Sequence, residues 1–144
     1  MPEPQPFIAV WDTNIFVRIA LGRSPRARNI RQAWMSGRFV VAASESILRE
    51  VERVMRYPEV QRDYGLTESD IARFLQLVRA TVVLTDELYE IQAIPADSSD
   101  NVFLACALEA GADYLVSQDA HLRDLKYYHG VQIIGFSQLE ALSV

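Results

Sequence analysis

Three acidic residues stand at the ends of apolar segments of the chain. Asp12 ends the first apolar segment, Asp100 precedes an apolar helix, and Asp119 ends the segment 113–119. Carboxylates held close together cannot all stay ionised without a counter-charge, and a hard divalent cation supplies one through oxygen ligands. Such an ion can activate water and stabilise both oxygens of an in-line phosphoryl displacement. The three acids therefore indicate metal-assisted hydrolysis of phosphodiester bonds.

Each acid also has a simpler structural explanation. Asp12 can cap the helix that follows it, and Asp119 can cap a short turn over residues 120–123. Asp100 can complement the dipole of its helix, which is worth about 0.3–1 kcal/mol. Capping explains any one acid, but three of them at one edge of a sheet point to a common cause.

The elements that position these acids alternate along the chain. The unbroken apolar run of residues 7–11 is typical of a strand buried on both faces, and helical apolar spacing recurs between the apolar runs. This alternation predicts an α/β protein with three layers, in which helices flank a central, mainly parallel sheet of about five strands. Ligands bind such sheets outside the carboxyl ends of the strands. The predicted strands cover residues 7–11, 39–43, 81–84, 113–119 and 131–134.

Length and composition indicate one ordinary domain. The 144 residues are half hydrophobic and 23% charged, which is globular composition. We expect residues 1–144 to form a single domain in which residues 1–6 are a disordered lead-in. A single cysteine, Cys106, excludes an internal disulfide framework and suits a reducing cytosol. No apolar run reaches the roughly 18–20 residues that cross a bilayer, so we expect a cytoplasmic protein without a membrane partner.

Periodicity leaves the choice between two glutamates open. The helix predicted over residues 44–56 has an apolar stripe, and Glu50 and Glu52 flank that stripe on opposite sides. Each lies about 100° from its centre by helical geometry. The sequence pattern alone therefore does not decide which of them faces a site.

A run of arginines follows the first acid. Six arginines and no Asp or Glu lie between Thr13 and Ser44, although the net charge of the whole chain is −5. A solvated helix face, a phosphate-binding rim and a dock for an acidic partner segment all fit this pattern. We predict, as substrate contacts, the first four of them: Arg18, Arg23, Arg26 and Arg28.

Four segments together resemble the PIN-domain ribonucleases, including the VapC-like toxins of toxin–antitoxin systems. They occur in the family's order and span nearly the whole chain. The departure from the pattern is Gln118, where many members have a small residue. The segments are Val10-Trp-Asp-Thr-Asn14, Ser46-Ile-Leu-Arg-Glu-Val-Glu-Arg-Val-Met55, Asp97-Ser-Ser-Asp-Asn-Val-Phe-Leu-Ala-Cys-Ala107 and Ala112-Asp-Tyr-Leu-Val-Ser-Gln-Asp119.

The resemblance implies roles for individual residues. The metal-binding and catalytic acids are then Asp12, Glu50, Asp100 and Asp119, a set that chooses Glu50 over Glu52. Asn14 and Ser117 would orient carboxylates or a bound water, and Asp97 would add to the acidic pocket.

The implied function is a Mg²⁺- or Mn²⁺-dependent endoribonuclease. The resemblance further implies the toxin of a type II pair, with RNA as substrate, a small antitoxin as partner and a possible homodimer. The alternatives are a PIN-fold nuclease of RNA processing that is not a toxin, and a binding module that keeps the fold without turnover. An inactive module is expected to lack one of the four acids, and none is missing from this sequence.

Overall fold

A computed structural model describes residues 6–91 and 100–143 of the chain. Its central feature is one six-stranded sheet with the strand order β3-β2-β1-β4-β6-β5. All neighbouring strands are parallel except β5 and β6, which pair antiparallel. The strands are β1 (Phe7–Trp11), β2 (Phe39–Ala43), β3 (Val83–Leu84), β4 (Tyr114–Val116), β5 (Tyr127–Tyr128) and β6 (Val131–Ile134).

Helices connect the strands and cover the sheet in a three-layer α/β/α arrangement. Several begin at the side-chain caps that their sequences predict, such as the Thr67–Asp70 capping box, in which each residue's side chain accepts a hydrogen bond from the other's backbone N–H. The described helices are α1 (Thr13–Leu21), α2 (Pro25–Met35), α3 (Glu45–Met55), α4 (Pro58–Tyr64), α5 (Glu68–Thr81), α6 (Asn101–Ala110), α7 (Ala120–Leu125) and α8 (Phe136–Leu142).

The fold class predicted from the sequence is confirmed. The sheet has one strand more than the approximately five predicted, because β5 forms a two-residue antiparallel edge with β6. The turn between them places His129 at φ 46° and Gly130 at φ 92°, and so short a hairpin leaves almost no hydrophobic pattern to detect.

Further boundaries differ from the predicted ones. The fourth strand covers only Tyr114–Val116 of the predicted residues 113–119. Pro58 closes α3 as predicted, but it also stands in the first turn of a new helix, α4, where the missing N–H of proline costs nothing. The third strand begins at Val83 rather than Thr81, because α5 continues through Thr81. The Thr81 hydroxyl donates a hydrogen bond to the Leu77 carbonyl within that helix.

The core lies against both faces of β1. Ala9, Val10 and Trp11 have no exposed surface, as the unbroken apolar run predicts. The Trp11 ring contacts the rings of Phe16 and Trp34 edge-on, at centroid distances of 5.1 and 5.0 Å. Packing on every side fixes the end of β1, and with it the backbone of the next residue, Asp12.

The connections of β1 create a crevice at the carboxyl edge of the sheet. β1 pairs with β2 on one side and with β4 on the other. The chain therefore leaves β1 towards one side of the sheet and leaves β4 towards the opposite side. Such a switch point is where open α/β sheets bind ligands. Asp12 follows β1, and Ser117 to Asp119 follow β4, so both segments meet at this crevice.

Candidate active site

A cleft of about 340 Å³ opens at the switch point between β1 and β4, and four acids line it. Asp12 follows β1, Glu50 lies on α3, Asp100 precedes α6, and Asp119 precedes α7. The fold thus brings together four segments that are up to 107 positions apart in the chain, from 12 to 119. Glu52, the alternative to Glu50, does not line the cleft and receives a hydrogen bond from Arg56 instead.

The Ser117 hydroxyl connects two of the acids. It donates a hydrogen bond to Oδ2 of Asp12 and accepts one of 2.9 Å from the backbone N–H of Asp119. Ser117 has no exposed surface, and its own N–H donates to the Ile134 carbonyl of β6 at 2.9 Å. The hydroxyl therefore fixes the carboxylate that follows β1 relative to the segment that follows β4.

The capping explanations of Asp12 and Asp119 are also correct. Oδ1 of Asp12 accepts the N–H of Ile15 at 2.9 Å in the first turn of α1. Oδ1 of Asp119 accepts the N–H groups of His121 and Leu122 at 2.9 and 3.3 Å. Capping and a place in the cleft do not exclude each other, because each carboxylate has two oxygens with several lone pairs.

Burial makes the ionised form of Asp12 costly. Asp12 is only 7% exposed, and desolvation raises the pKa of its carboxyl group above the usual value. Hydrogen bonds from Ser117 and Ile15 oppose the rise, whereas the negative charge of Asp119 adds to it. A positive charge placed between Asp12 and Asp119 would relieve both the desolvation and the repulsion.

Glu50 lies across the cleft and is paired with a cation. Both of its oxygens accept hydrogen bonds from Arg53, at 3.0 Å from Nε and 2.7 Å from Nη2. Arg53 lies one turn further along α3 and also lines the cleft. The bidentate pair is solvent-exposed, with 39% of the Glu50 side chain accessible, so it exchanges partners more easily than a buried pair.

Asp100, Asp119 and His121 form a group with the side chains of a metal site. One potential ligand atom from each lies within 4.8 Å of the others. Asp100 is buried, at 6% exposure, whereas Asp119 and His121 are exposed. His121 follows Asp119 by two positions, in the first turn of α7.

The polar groups of the cleft fit a divalent ion. Carboxylate oxygens are the ligands that Mg²⁺ and Mn²⁺ prefer. Within the described ranges 6–91 and 100–143, the buried hydroxyl of Thr13 has no hydrogen-bond partner, although Thr13 lines the same cleft. A buried hydroxyl without a partner is costly, and a rotation of the Thr13 side chain towards the cleft would let an ordered water around an ion satisfy it.

The remaining predicted residues fall into three groups. Asn14 lines the cleft, Ser117 lies behind Asp12, and Asp97 lies outside the described residues.

The four predicted substrate arginines do not line the cleft. Arg18 lies 3.8 Å above the centroid of the Phe136 ring, just beyond β6. Arg26 pairs with Glu140 at 2.9 Å, while Arg23 and Arg28 are exposed.

Two residues near the acids, Arg53 and His121, are not among the residues predicted from the sequence. Arg53 is one of two arginines on α3, and its contact with Glu50 depends on side-chain rotamers. His121 follows Asp119 by two positions, and that spacing is the signal that the sequence offers.

A mainly parallel sheet that gathers carboxylates at its switch point defines a class of α/β proteins suited to divalent ions and phosphate chemistry. Within this class the chain belongs to the PIN domain family, which it matches over residues 9–121. The match confirms the resemblance at the level of the family. PIN domains are generally nucleases that use divalent metals.

No curated protein matches the chain. In the parts of the chain described, helices long and apolar enough for a membrane crossing are absent.

Proposed function

We propose that the protein is a divalent-metal-dependent endoribonuclease, and that it acts in the cytoplasm as the toxin of a type II toxin–antitoxin pair. The observation that carries the nuclease proposal is the cleft itself, where Asp12, Glu50, Asp100 and Asp119 meet from four separate segments. Membership of the PIN family supports the same reading. The toxin role is supported by the sequence resemblance to the VapC-like branch.

The four acids are proposed as the metal-binding and catalytic residues for Mg²⁺ or Mn²⁺. A divalent ion held by these carboxylates would polarise the attacking water and stabilise the charge that develops on the phosphate. Ser117 keeps the Asp12 carboxylate in place through its hydroxyl. Asn14, at the start of α1, and Asp97 are proposed to complete the polar wall, where an amide or carboxylate can orient a water.

Arg53 is proposed to bind the scissile phosphate. In the structure it donates hydrogen bonds to both oxygens of Glu50, so an ion bound by Glu50 would compete with Arg53 for that carboxylate. The guanidinium, released in the cleft, has the planar fork that suits two phosphate oxygens. When Glu50 exchanges Arg53 for the ion, the Glu50 carboxylate would bind the metal and the Arg53 guanidinium would bind the RNA phosphate.

The antitoxin and a second copy of the chain are proposed partners. The exposed Arg23, just before α2, and Arg28, on α2, offer positive charge to an acidic antitoxin segment as well as to RNA. In a bacterial host, expression of the wild-type chain should arrest growth, and co-expression of a cognate antitoxin, sought among small proteins encoded next to this chain, should restore growth. Normal growth with an active nuclease would instead favour an RNA-processing role.

The first prediction tests the nuclease assignment through Asp119. Asp119→Asn should lower RNA cleavage with Mg²⁺ or Mn²⁺ at least about 100-fold, since a metal ligand should matter no less than its hydrogen-bonded neighbours. Asparagine caps helices as well as aspartate does, so the variant should still fold. The measurement is the cleavage of a labelled single-stranded RNA, with the circular dichroism melting curve as a check of folding.

Asp124→Asn is the matched control for that experiment. Asp124 lies on the same short helix and is exposed, so its loss should leave cleavage unchanged. Equal cleavage by Asp119→Asn and the wild type, or activity that persists in EDTA, would contradict the assignment.

A further inference from the structure

We propose that His121 is a direct ligand of the ion and that its imidazole makes the site prefer Mn²⁺ to Mg²⁺. The inference rests on the proposed function, because it assigns a nitrogen ligand and a metal preference to the same cleft. It adds a residue that the four-acid set does not contain.

The first argument is the position of the three side chains. One ligand atom each from Asp100, Asp119 and His121 lies within 4.8 Å of the other two. Around one octahedral ion with bonds of about 2.1 Å, adjacent ligand atoms are about 3.0 Å apart and opposite ones about 4.2 Å apart. Binding one ion therefore requires the three atoms to draw closer by up to about 2 Å, and the side chains of Asp119 and His121 are exposed and so have room to rotate.

The second argument is independent of the carboxylates and comes from Thr13. This residue is 8% exposed, lines the same cleft, and has a buried hydroxyl with no hydrogen-bond partner among residues 6–91 and 100–143. A hydroxyl in that position needs a polar partner in the cleft. If the Thr13 side chain rotates towards the cleft, a water in the coordination shell of an ion would be such a partner.

The third argument concerns the orientation of Asp119. Its Oδ1 accepts the backbone N–H groups of His121 and Leu122, and these cap bonds hold the carboxylate beside the start of α7 without using all of its lone pairs. The His121 side chain stands on that same turn, two positions after Asp119. We therefore expect an ion held by Asp119 to lie within reach of the imidazole.

A nitrogen ligand has consequences for metal choice. Mg²⁺ prefers oxygen ligands and keeps several waters, so an imidazole adds little to its binding. Transition ions accept imidazole readily, and affinity at nitrogen-containing sites rises from Mn²⁺ towards Cu²⁺. Mn²⁺ is therefore expected to gain from His121, and Mg²⁺ is not.

The test compares His121→Asn with His129→Asn in the full chain. His129 is the other histidine, exposed and at φ 46°, a conformation that asparagine tolerates. The same substitution at both positions gives a matched pair. The probe is Mn²⁺ alone, without RNA. Electron spin echo modulation from a coupled imidazole ¹⁴N reports coordination directly, and calorimetry gives the affinities for Mn²⁺ and Mg²⁺.

The wild type and His129→Asn should show the ¹⁴N modulation, and His121→Asn should lose it. His121→Asn should also bind Mn²⁺ about tenfold more weakly, with a much smaller change for Mg²⁺. Absence of the modulation in the wild type, its persistence in His121→Asn, or equal losses for both ions would overturn the proposal. If Asp119→Asn still abolishes cleavage in that case, the nuclease assignment stands and only the imidazole ligand fails. A wild type that binds neither ion would remove both.

Discussion

At the scale of single residues, the Glu50–Arg53 pair lowers the net negative charge of the cleft. Four carboxylates and one guanidinium line it, so the pair reduces the net negative charge that an ion would meet. Both partners are partly exposed, with 65% of the Arg53 side chain accessible, and water weakens their attraction. Arg53 therefore neutralises the charge of Glu50 only until another cation replaces it, and the pair is not a fixed structural contact of α3.

A prediction about Arg53 follows from this neutralisation of Glu50. Arg53→Gln should raise the affinity for Mg²⁺ by about two- to fivefold, which corresponds to the free energy of one exposed charge pair. The same change should raise the KM for RNA, because the cleft loses its cation. Calorimetry without RNA measures the first effect, and steady-state cleavage measures the second.

Arg73→Gln is the control for Arg53. Arg73 forms a similar exposed i,i+3 pair, with Asp70 on α5, but it does not line the cleft. Its substitution should alter neither constant. Unchanged or weaker Mg²⁺ binding by Arg53→Gln would show that Arg53 does not compete with the ion for Glu50.

The sequence could predict the acids but not their neighbours. Asp12 and Asp119 were predictable because each ends an apolar strand, and parallel strands place their carboxyl ends together. Glu50 needed the family resemblance, because periodicity did not separate it from Glu52. Arg53 and His121 were missed because their roles depend on side-chain directions and on distances across the cleft, which a linear pattern does not contain.

At the scale of elements, the arginine-rich segment divides into structural and exposed members. Nη1 of Arg31, on α2, donates to the carbonyls of Ile19, Ala20 and Gly22 at 2.6, 3.2 and 3.2 Å. These carbonyls are at the end of α1, where a helix has acceptors without intrahelical partners and a negative dipole end. Arg31 thus joins α2 to α1, the helix that begins in the cleft.

The element-scale prediction is a difference in stability between two arginines of α2. Arg31→Gln should lower the free energy of unfolding by about 1.5–3 kcal/mol, the range for a hydrogen bond to a charged group. Arg28→Gln should change it by less than about 0.5 kcal/mol, because Arg28 is exposed. Urea unfolding of the two variants and the wild type measures both values.

Equal effects of the two variants would contradict the structural role of Arg31. In the sequence the two arginines look alike, three positions apart on one helix. Their difference comes from the short connection of residues 22–24 between α1 and α2, across which the Arg31 side chain reaches the last carbonyls of α1. Sequence patterns predicted both helices, but not the angle between them.

At the scale of the whole molecule, the strand order distributes charge along the carboxyl edge of the sheet. Arg53 lies on α3, which follows β2, and Arg18 lies over Phe136, which follows β6. The acids of β1 and β4 lie between these two strands in the order of the sheet. With a net charge of −5, the protein would attract RNA, its proposed substrate, through local cations only, and this arrangement predicts a path for RNA with a cation at each end.

The last prediction measures that path through its salt dependence. Each phosphate contact to a single strand contributes about −0.7 to the slope of log K against log salt concentration. Arg18→Gln should weaken RNA binding and reduce the magnitude of this slope by about 0.7. The measurement is fluorescence anisotropy of a single-stranded RNA, in the Asp119→Asn background and without metal, so that the probe is not cut. Arg73 is a cation outside this path, so Arg73→Gln should leave the RNA affinity and the slope unchanged. If Arg18→Gln also leaves both unchanged, RNA does not cross the β6 side of the edge.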